Sequence, residues 1–225
     1  MASIFVTGAS TGLGAAIVYA LRTDGHLVYE FDRKDHTDCD VRDPQGEPPT
    51  QLDALINCAG VNRTGWLEDF AESDWDEVMD VNAKGIFKMT QWALPALIRS
   101  KGAVLNIISN ASHMPMTTSL AYNASKGAAH IMTLQLAREL TKKHGITVFG
   151  ISPNKLKGTG MSKDIEEQVM LHRGWTAEFA AQYQRNALLC GEETDPAQLA
   201  DFIRYLFEHR NNHKFLTGCV IPYGA

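Results

Sequence analysis

No stretch of this chain approaches the roughly 18 consecutive apolar residues that a membrane-crossing helix needs, so neither a span nor a membrane partner is expected. Basic residues are scattered rather than gathered, and the net charge is −5. With a pI near 5.9 the chain lacks the cationic footprint of a nucleic-acid binder. The four cysteines, Cys39, Cys58, Cys190 and Cys219, form no CxxC pair and no zinc spacing. That pattern points to buried thiols in a reducing compartment rather than to disulfides. The eight histidines show no HExxH or paired-ligand spacing, so no metal is expected. No internal repeat, low-complexity segment or break in composition divides the 225 residues, a length within the range of one α/β domain. Met1 to Val6 run directly into a glycine loop, so no presequence is expected and the expected location is cytoplasmic.

What is present is alternation. Short apolar runs take turns with helical patterns, the signature of a parallel sheet covered on both faces. The runs predict strands at 3–7, 27–31, 38–41, 53–57, 103–109, 146–152 and 217–222, about seven in all. Helices are predicted over 12–23, 73–82, 84–99, 121–143 and 195–209. Two stretches interrupt the rhythm. Residues 33–52 hold Pro44, Pro48 and Pro49 and leave little room for a full helix. Residues 155–194 are helical in pieces, punctuated by glycines and carrying apolar residues of their own, and read as a substrate flap.

Thr7-Gly8-Ala9-Ser10-Thr11-Gly12-Leu13-Gly14 follows an apolar strand and opens the helix at Ala15. Glycines there permit a tight turn and close approach of a pyrophosphate, and the helix N-terminus supplies free N–H groups. A glycine turn alone also occurs with no ligand. The next strand ends at Asp32, about 20 residues past the glycines, where a carboxylate can accept hydrogen bonds from an adenosine ribose. A carboxylate there also repels a 2′-phosphate, which favours NAD(H) over NADP(H). Arg33 beside it could greet that phosphate instead, whereas Thr11 is not basic. Asp32 also reads as a solvated strand end.

Ser109, Tyr122 and Lys126 carry the chemistry. Tyr122 and Lys126 are four apart in Ala121-Tyr122-Asn123-Ala124-Ser125-Lys126, which puts them on one helical face. A phenol titrates near 10 and is a poor base at neutral pH, and a nearby ammonium favours the phenolate. Ser109 at the end of an apolar strand could hold a substrate oxygen beside the phenol. A lone Tyr-x-x-x-Lys pair is common, and an exposed helical pair would be its bland explanation.

The order of motifs along the whole chain decides the matter. Thr7-Gly8-x-x-x-Gly12-x-Gly14 is followed by Asn57-Cys58-Ala59-Gly60 and Val81-Asn82. Then come Asn106-Ile107-Ile108-Ser109, Tyr122-x-x-x-Lys126, Ser152-Pro153 and Thr217-Gly218-x-Val220-Ile221. In this the sequence resembles the short-chain dehydrogenase/reductase family over almost its entire length. The resemblance implies a Rossmann-type doubly wound fold, a small-molecule alcohol or carbonyl substrate, and a homo-oligomer, either tetramer or dimer. It implies that Tyr122 gives or takes the hydroxyl proton, that Ser109 polarises the substrate oxygen, and that Lys126 binds the nicotinamide ribose and lowers the phenol's pKa. Asn82 would hold a water joining Lys126 to solvent. For the cofactor it implies contacts from Gly8, Ser10, Thr11, Gly12, Leu13, Gly14, Asp32 and Arg33. Asp40 and Val41 would meet adenine, Asn57, Ala59 and Gly60 would line the adenosine side, and Pro153, Asn154 and Leu156 would lie near the nicotinamide.

Three departures bear on those expectations. Pro153 is followed by Asn154 where the family has glycine; asparagine tolerates left-handed angles, and its amide could reach carboxamide or substrate. The usual carboxamide-contacting threonine matches Thr159, with Gly158 inserted before it. Only seven residues separate Asp32 from Asp40, too few for the usual crossover helix, which puts the third strand and the adenine contacts of Asp40 and Val41 in doubt. The chain ends Tyr223-Gly224-Ala225 rather than Asp-Gly-Gly, from which no change of chemistry follows. His113, His172 and Trp175 could touch substrate or simply pack; Phe87, Met89 and Trp92 recur at helical spacing, as core and subunit contacts would. The rival reading is a catalytically silent NAD(H)-binding sensor, which would not need all of Asn82, Ser109, Tyr122 and Lys126. A sugar epimerase or dehydratase would need a substrate domain for which the chain has no space, and enoyl reductases separate their Tyr and Lys more widely.

Overall fold

Apolar runs that are buried on both sides must pair with each other and be roofed twice, and six of them do so here. The structure is a computed structural model that describes residues 1–34, 39–208 and 214–224. Its strands are β1 (Ser3–Thr7), β2 (Leu27–Phe31), β3 (Ala54–Asn57), β4 (Ala103–Ile107), β5 (Thr147–Pro153) and β6 (Val220–Tyr223). They form one wholly parallel sheet in the order β2-β1-β3-β4-β5-β6. The chain steps outward from β1 to β2 and then returns to the other side of β1 for β3. This switch point opens a crevice beyond the C-terminal ends of β1 and β3, where ligands of such sheets bind.

The helices are α1 (Gly12–Thr23), α2 (Glu72–Met79), α3 (Gly85–Ser100), α4 (Leu120–His144), α5 (Gly160–Arg173), α6 (Ala177–Ala187) and α7 (Pro196–Glu208). Because strand side chains alternate, Ile4, Val6, Ala54, Ile56, Leu105 and Ile151 face α1 and α7. Their neighbours Phe5, Leu55, Val104 and Val148 face α3 and α4. A roof of helices on each face follows directly from that alternation. The expected residue-209 end of the last helix lies outside the described residues.

Three expectations need correction. The sheet has six strands, not seven. The first residue of the strand expected at 38–41 lies outside the described residues, and Cys39–Val41 are not strand. Too little chain separates Asp32 from Asp40 for a crossover, and the 39–52 segment contributes no strand to the sheet. It is tied to α3 instead: Trp92 Nε1 donates to Gly46 O at 2.9 Å and Ser100 Oγ to Leu52 O at 2.6 Å. The helices expected at 73–82 and 84–99 do not part between them either; a π-helical turn, Asp80–Lys84, joins α2 to α3. The thiols, expected to be buried, are half-buried at Cys39 and Cys58 and exposed at Cys190 and Cys219.

Candidate active site

The glycine loop takes the shape its residues allow. Gly8 and Gly12 have φ of +66° and +53°, the left-handed region that favours glycine. A Cβ on Gly8 would lie 2.7 Å from Ala59 Cα, and one on Gly14 would lie 1.9 Å from Gly8 O. The loop is therefore folded back on itself and pressed against the turn after β3. Thr7 Oγ1 ties the two turns together by accepting from Cys58 N at 3.0 Å and Ala59 N at 3.1 Å. Thr11 begins α1 without a side-chain cap, and the first turn carries no acidic residue. An uncapped, unopposed helix start of this kind suits an anion.

Asp32 closes the loop from β2: one carboxylate oxygen accepts from Ser10 N at 3.0 Å, the other from Lys34 N at 2.9 Å. Arg33 turns away toward Asp40, Nη1 to Oδ2 at 3.6 Å. Asp40 is already held by Arg42, whose Nε lies 2.9 and 3.0 Å from its two oxygens. The hydrogen bonds from Arg42 hold the Asp40 carboxyl below its usual range. Val41 is buried at the start of α3, where a Cβ on Gly85 would come within 2.9 Å of its Cγ2. Asn57 is buried too, and its amide nitrogen donates to Asn106 Oδ1 at 2.8 Å, in the interior rather than on the crevice.

Ser109, Tyr122 and Lys126 meet beyond the C-terminal end of β4. Burial raises the Tyr122 phenol above its ordinary value, and a hydrogen bond with the Ser109 hydroxyl acts in the opposite direction. Lys126 is buried and donates from Nζ to Ile107 O at 3.0 Å; the same atom lies 5.7 Å from the centre of the Tyr122 ring. Burial pushes its ammonium down to about 8. The net direction for the phenol is thus upward, because desolvation outweighs the hydrogen bond with Ser109.

Asn82 sits in the π-helical turn, a distortion that recurs at functional sites. Its amide is fully engaged: Nδ2 donates to Val61 O at 2.9 Å and Ser125 Oγ at 3.0 Å, and Oδ1 accepts from Val61 N at 2.8 Å. Ser125 in turn donates to Tyr122 O at 2.8 Å. A chain of polar contacts therefore runs from the loop after β3 through Asn82 and Ser125 to the helix that carries Tyr122 and Lys126. Gly60 completes it, since a Cβ there would lie 3.4 Å from Asn82 Oδ1 and 3.8 Å from Lys126 Nζ. Thr7 and Ser125 were not singled out from the sequence; a small hydroxyl one residue before Lys126 was the only signal for the second.

Asn154 departs from expectation. Its backbone is not left-handed, and its amide is committed to the base of the flap. Oδ1 accepts from Thr194 N at 3.0 Å, and Nδ2 donates to Gly224 O. No donor or acceptor is left over for a carboxamide. Pro153 ends β5, and Leu156 is bridged to Thr194. Thr159 caps α5 by accepting from Ser162 N, and its methyl lies 3.4 Å from where a Cβ on Gly12 would stand. The flap thus springs from beside the glycine loop. His113 is exposed; His172 offers its carbonyl to Trp66 Nε1 at 3.0 Å, and Trp175 packs on Phe179 and Tyr183.

Comparison with known proteins places the chain in a family. The family model described as short chain dehydrogenase matches residues 46–170. Sorbitol-6-phosphate 2-dehydrogenase of Klebsiella pneumoniae is 28% identical over 96% of this chain and 91% of its own. The 2,3-dihydro-2,3-dihydroxybenzoate dehydrogenase of Escherichia coli K12 is 27% identical over 99% of this chain and 96% of its own. Among solved structures, an actinorhodin polyketide ketoreductase with NADPH superimposes with a TM-score of 0.86 at 24% identity, covering 99% of this chain and 96% of that one. Ser109, Tyr122 and Lys126 lie within that family match, which covers more than half the chain, and the protein belongs to the short-chain dehydrogenase/reductase family.

Proposed function

We propose that the protein interconverts a secondary alcohol and a carbonyl with NAD(H), and that Tyr122 moves the hydroxyl proton. The observation that carries this reading is the meeting of half-buried Ser109 and Tyr122 with buried Lys126 beside a glycine crevice shaped for a dinucleotide. When bound there, the cofactor supplies a nicotinamide that accepts or delivers the hydride. In alcohol oxidation, Tyr122 first releases its own proton to solvent, and the phenolate oxygen then takes the substrate O–H proton while the Ser109 hydroxyl steadies the substrate oxygen. In carbonyl reduction, the phenol donates that proton to the alkoxide as it forms. A phenol raised by burial is well suited to hold its proton until then. Lys126 lies close enough to add positive charge beside the phenol once its bond to Ile107 O is exchanged for one to a ribose hydroxyl.

Asp32 and the uncapped start of α1 support the fit of a dinucleotide, with Gly12, Leu13 and Gly14 toward its phosphates. Ala59 and Gly60 line its other side. NAD(H) is favoured because the carboxylate of Asp32 stands at the end of β2 and Arg33 is drawn off by Asp40. The exposed apolar side chains of Phe87 on α3 and Ile131 on α4 support pairing of subunits through these helices. Tyr122→Phe is the decisive test: turnover should be lost while NADH affinity, read by calorimetric titration, stays nearly unchanged. Appreciable residual turnover in that variant would remove Tyr122 from the proton-transfer role.

A further inference from the structure

Buried polar atoms normally find partners, so those that do not deserve an explanation. Among the described residues five buried side-chain atoms have none: His26 Nε2, Asn57 Oδ1, Asn62 Nδ2, Asn62 Oδ1 and Arg173 Nε. Three of the five belong to Asn62 and Arg173, both on the seam where the flap meets the loop after β3. Asn62 is the more telling, because its residue is only 8% exposed and both ends of its amide are unpaired.

The loop that carries Asn62 has no slack with which to turn the amide elsewhere. Val61 on one side is bonded through both N–H and C=O to Asn82. Arg63 on the other side is paired with Glu77 at 2.6 Å and lies 3.6 Å from Asp74, both on α2. Thr64 Oγ1 donates to Gln168 of α5 at 2.9 Å, and Gly65 N to Thr118 O at 2.9 Å. Arg173 donates to Thr117 O, which joins the flap to the β4–α4 connection that Gly65 also contacts through Thr118. Asn62 is therefore fixed between Gly60, beside Lys126, and the flap.

We propose that Asn62 is a specificity-determining residue that reads a second hydroxyl of the substrate, so that the protein takes hydroxylated ketones and polyols in preference to apolar ones. The inference rests on the oxidoreductase reading above and names its substrate class. An amide offers one donor group and one acceptor, and a hydroxyl answers both. A hydrocarbon chain in the same place would leave the amide sealed and unpaired, and a site built this way discriminates strongly against an analogue that lacks the group. The Nε–H of Arg173 adds a further donor on the seam.

Erythrulose and 2-butanone are four-carbon ketones that differ by three hydroxyls, and their reduction with NADH tests the inference. The natural protein should prefer erythrulose by about 100-fold or more in kcat/KM. Asn62→Leu should cut that ratio at least about tenfold, chiefly through KM for erythrulose, with NADH affinity retained. Asn62→Ser, which keeps a donor and acceptor in a smaller side chain, should recover part of the ratio and covers the case in which the leucine variant does not fold. A ratio unchanged within about twofold in either folded variant would mean that the amide binds ordered water and reads nothing. A natural preference for 2-butanone would also overturn the inference, while leaving the role of Tyr122 standing. Undiminished turnover in Tyr122→Phe would instead sink the reading beneath it.

Discussion

At the scale of single residues, the site is a compromise between burial and charge. Lys126 has an ordinary value of 10.5 and is held near 8 by desolvation. Between those values the unfolded chain binds the lysine proton and the folded protein does not. Stability on this account therefore rises with pH across that window, and the full penalty is felt below it. Lys126→Met should remove the rise. Urea midpoints of the natural and variant proteins, compared at pH 7 and at pH 10, should shift in favour of the natural protein as pH increases. A constant difference would show that Lys126 is not desolvated as described. Asp32 makes a second prediction at this scale. Asp32→Ala removes both the charge that repels a 2′-phosphate and the acceptor for Ser10 N, so discrimination against NADPH should weaken by about tenfold. Parallel calorimetric titrations with NADH and NADPH would measure it, and an unchanged preference would hand the choice to Arg33.

At the scale of elements, what was legible in the sequence was local, and what was not depended on distant partners. The glycine loop, the Tyr122–Lys126 pairing and the central strands follow from spacing and alternation, which are properties of neighbours in the chain. The commitment of the Asn154 amide was not legible, because its partners Thr194 and Gly224 lie 40 and 70 residues away. Nor was the π-helical turn, since the expected helices part at residue 83 within it and only the position of Asn82 reveals its use. The missing strand was legible as a shortage of residues, but not its remedy. Trp92 supplies that remedy: it packs 5.0 Å from Phe5 between ring centres and pins Gly46 across the outer face of β1 and β2. Trp92→Ala should therefore destabilise the protein by about 2–4 kcal/mol, read as a fall in the urea midpoint. A loss below about 0.5 kcal/mol would mean that the 39–52 segment holds itself in place without the indole.

At the scale of the whole molecule, stability is unevenly spread, and the distribution suits the proposed chemistry. Every residue of β3, β4 and β5 is buried, and two layers of helices cover them. The flap is different. Ser162 and Val169 are the buried residues of α5, Ala180 of α6, and Leu171, Phe179 and Tyr183 face solvent. Hydrogen bonds tie α5 and its end to the loops beneath: Thr64 to Gln168, Trp66 to His172 O, and Arg173 to Thr117 O. Partly exposed contacts of this kind contribute little each and break singly, so the flap can open without disturbing the sheet. Amides of α5 and α6 should then exchange with deuterium at least about 100-fold faster than those of β3, β4 and β5. NADH together with substrate should slow them, because a ligand beneath the flap adds contacts that opening would cost. Equal protection of flap and sheet would mean that α5 and α6 belong to the cooperative core, and substrate would have to enter by another route.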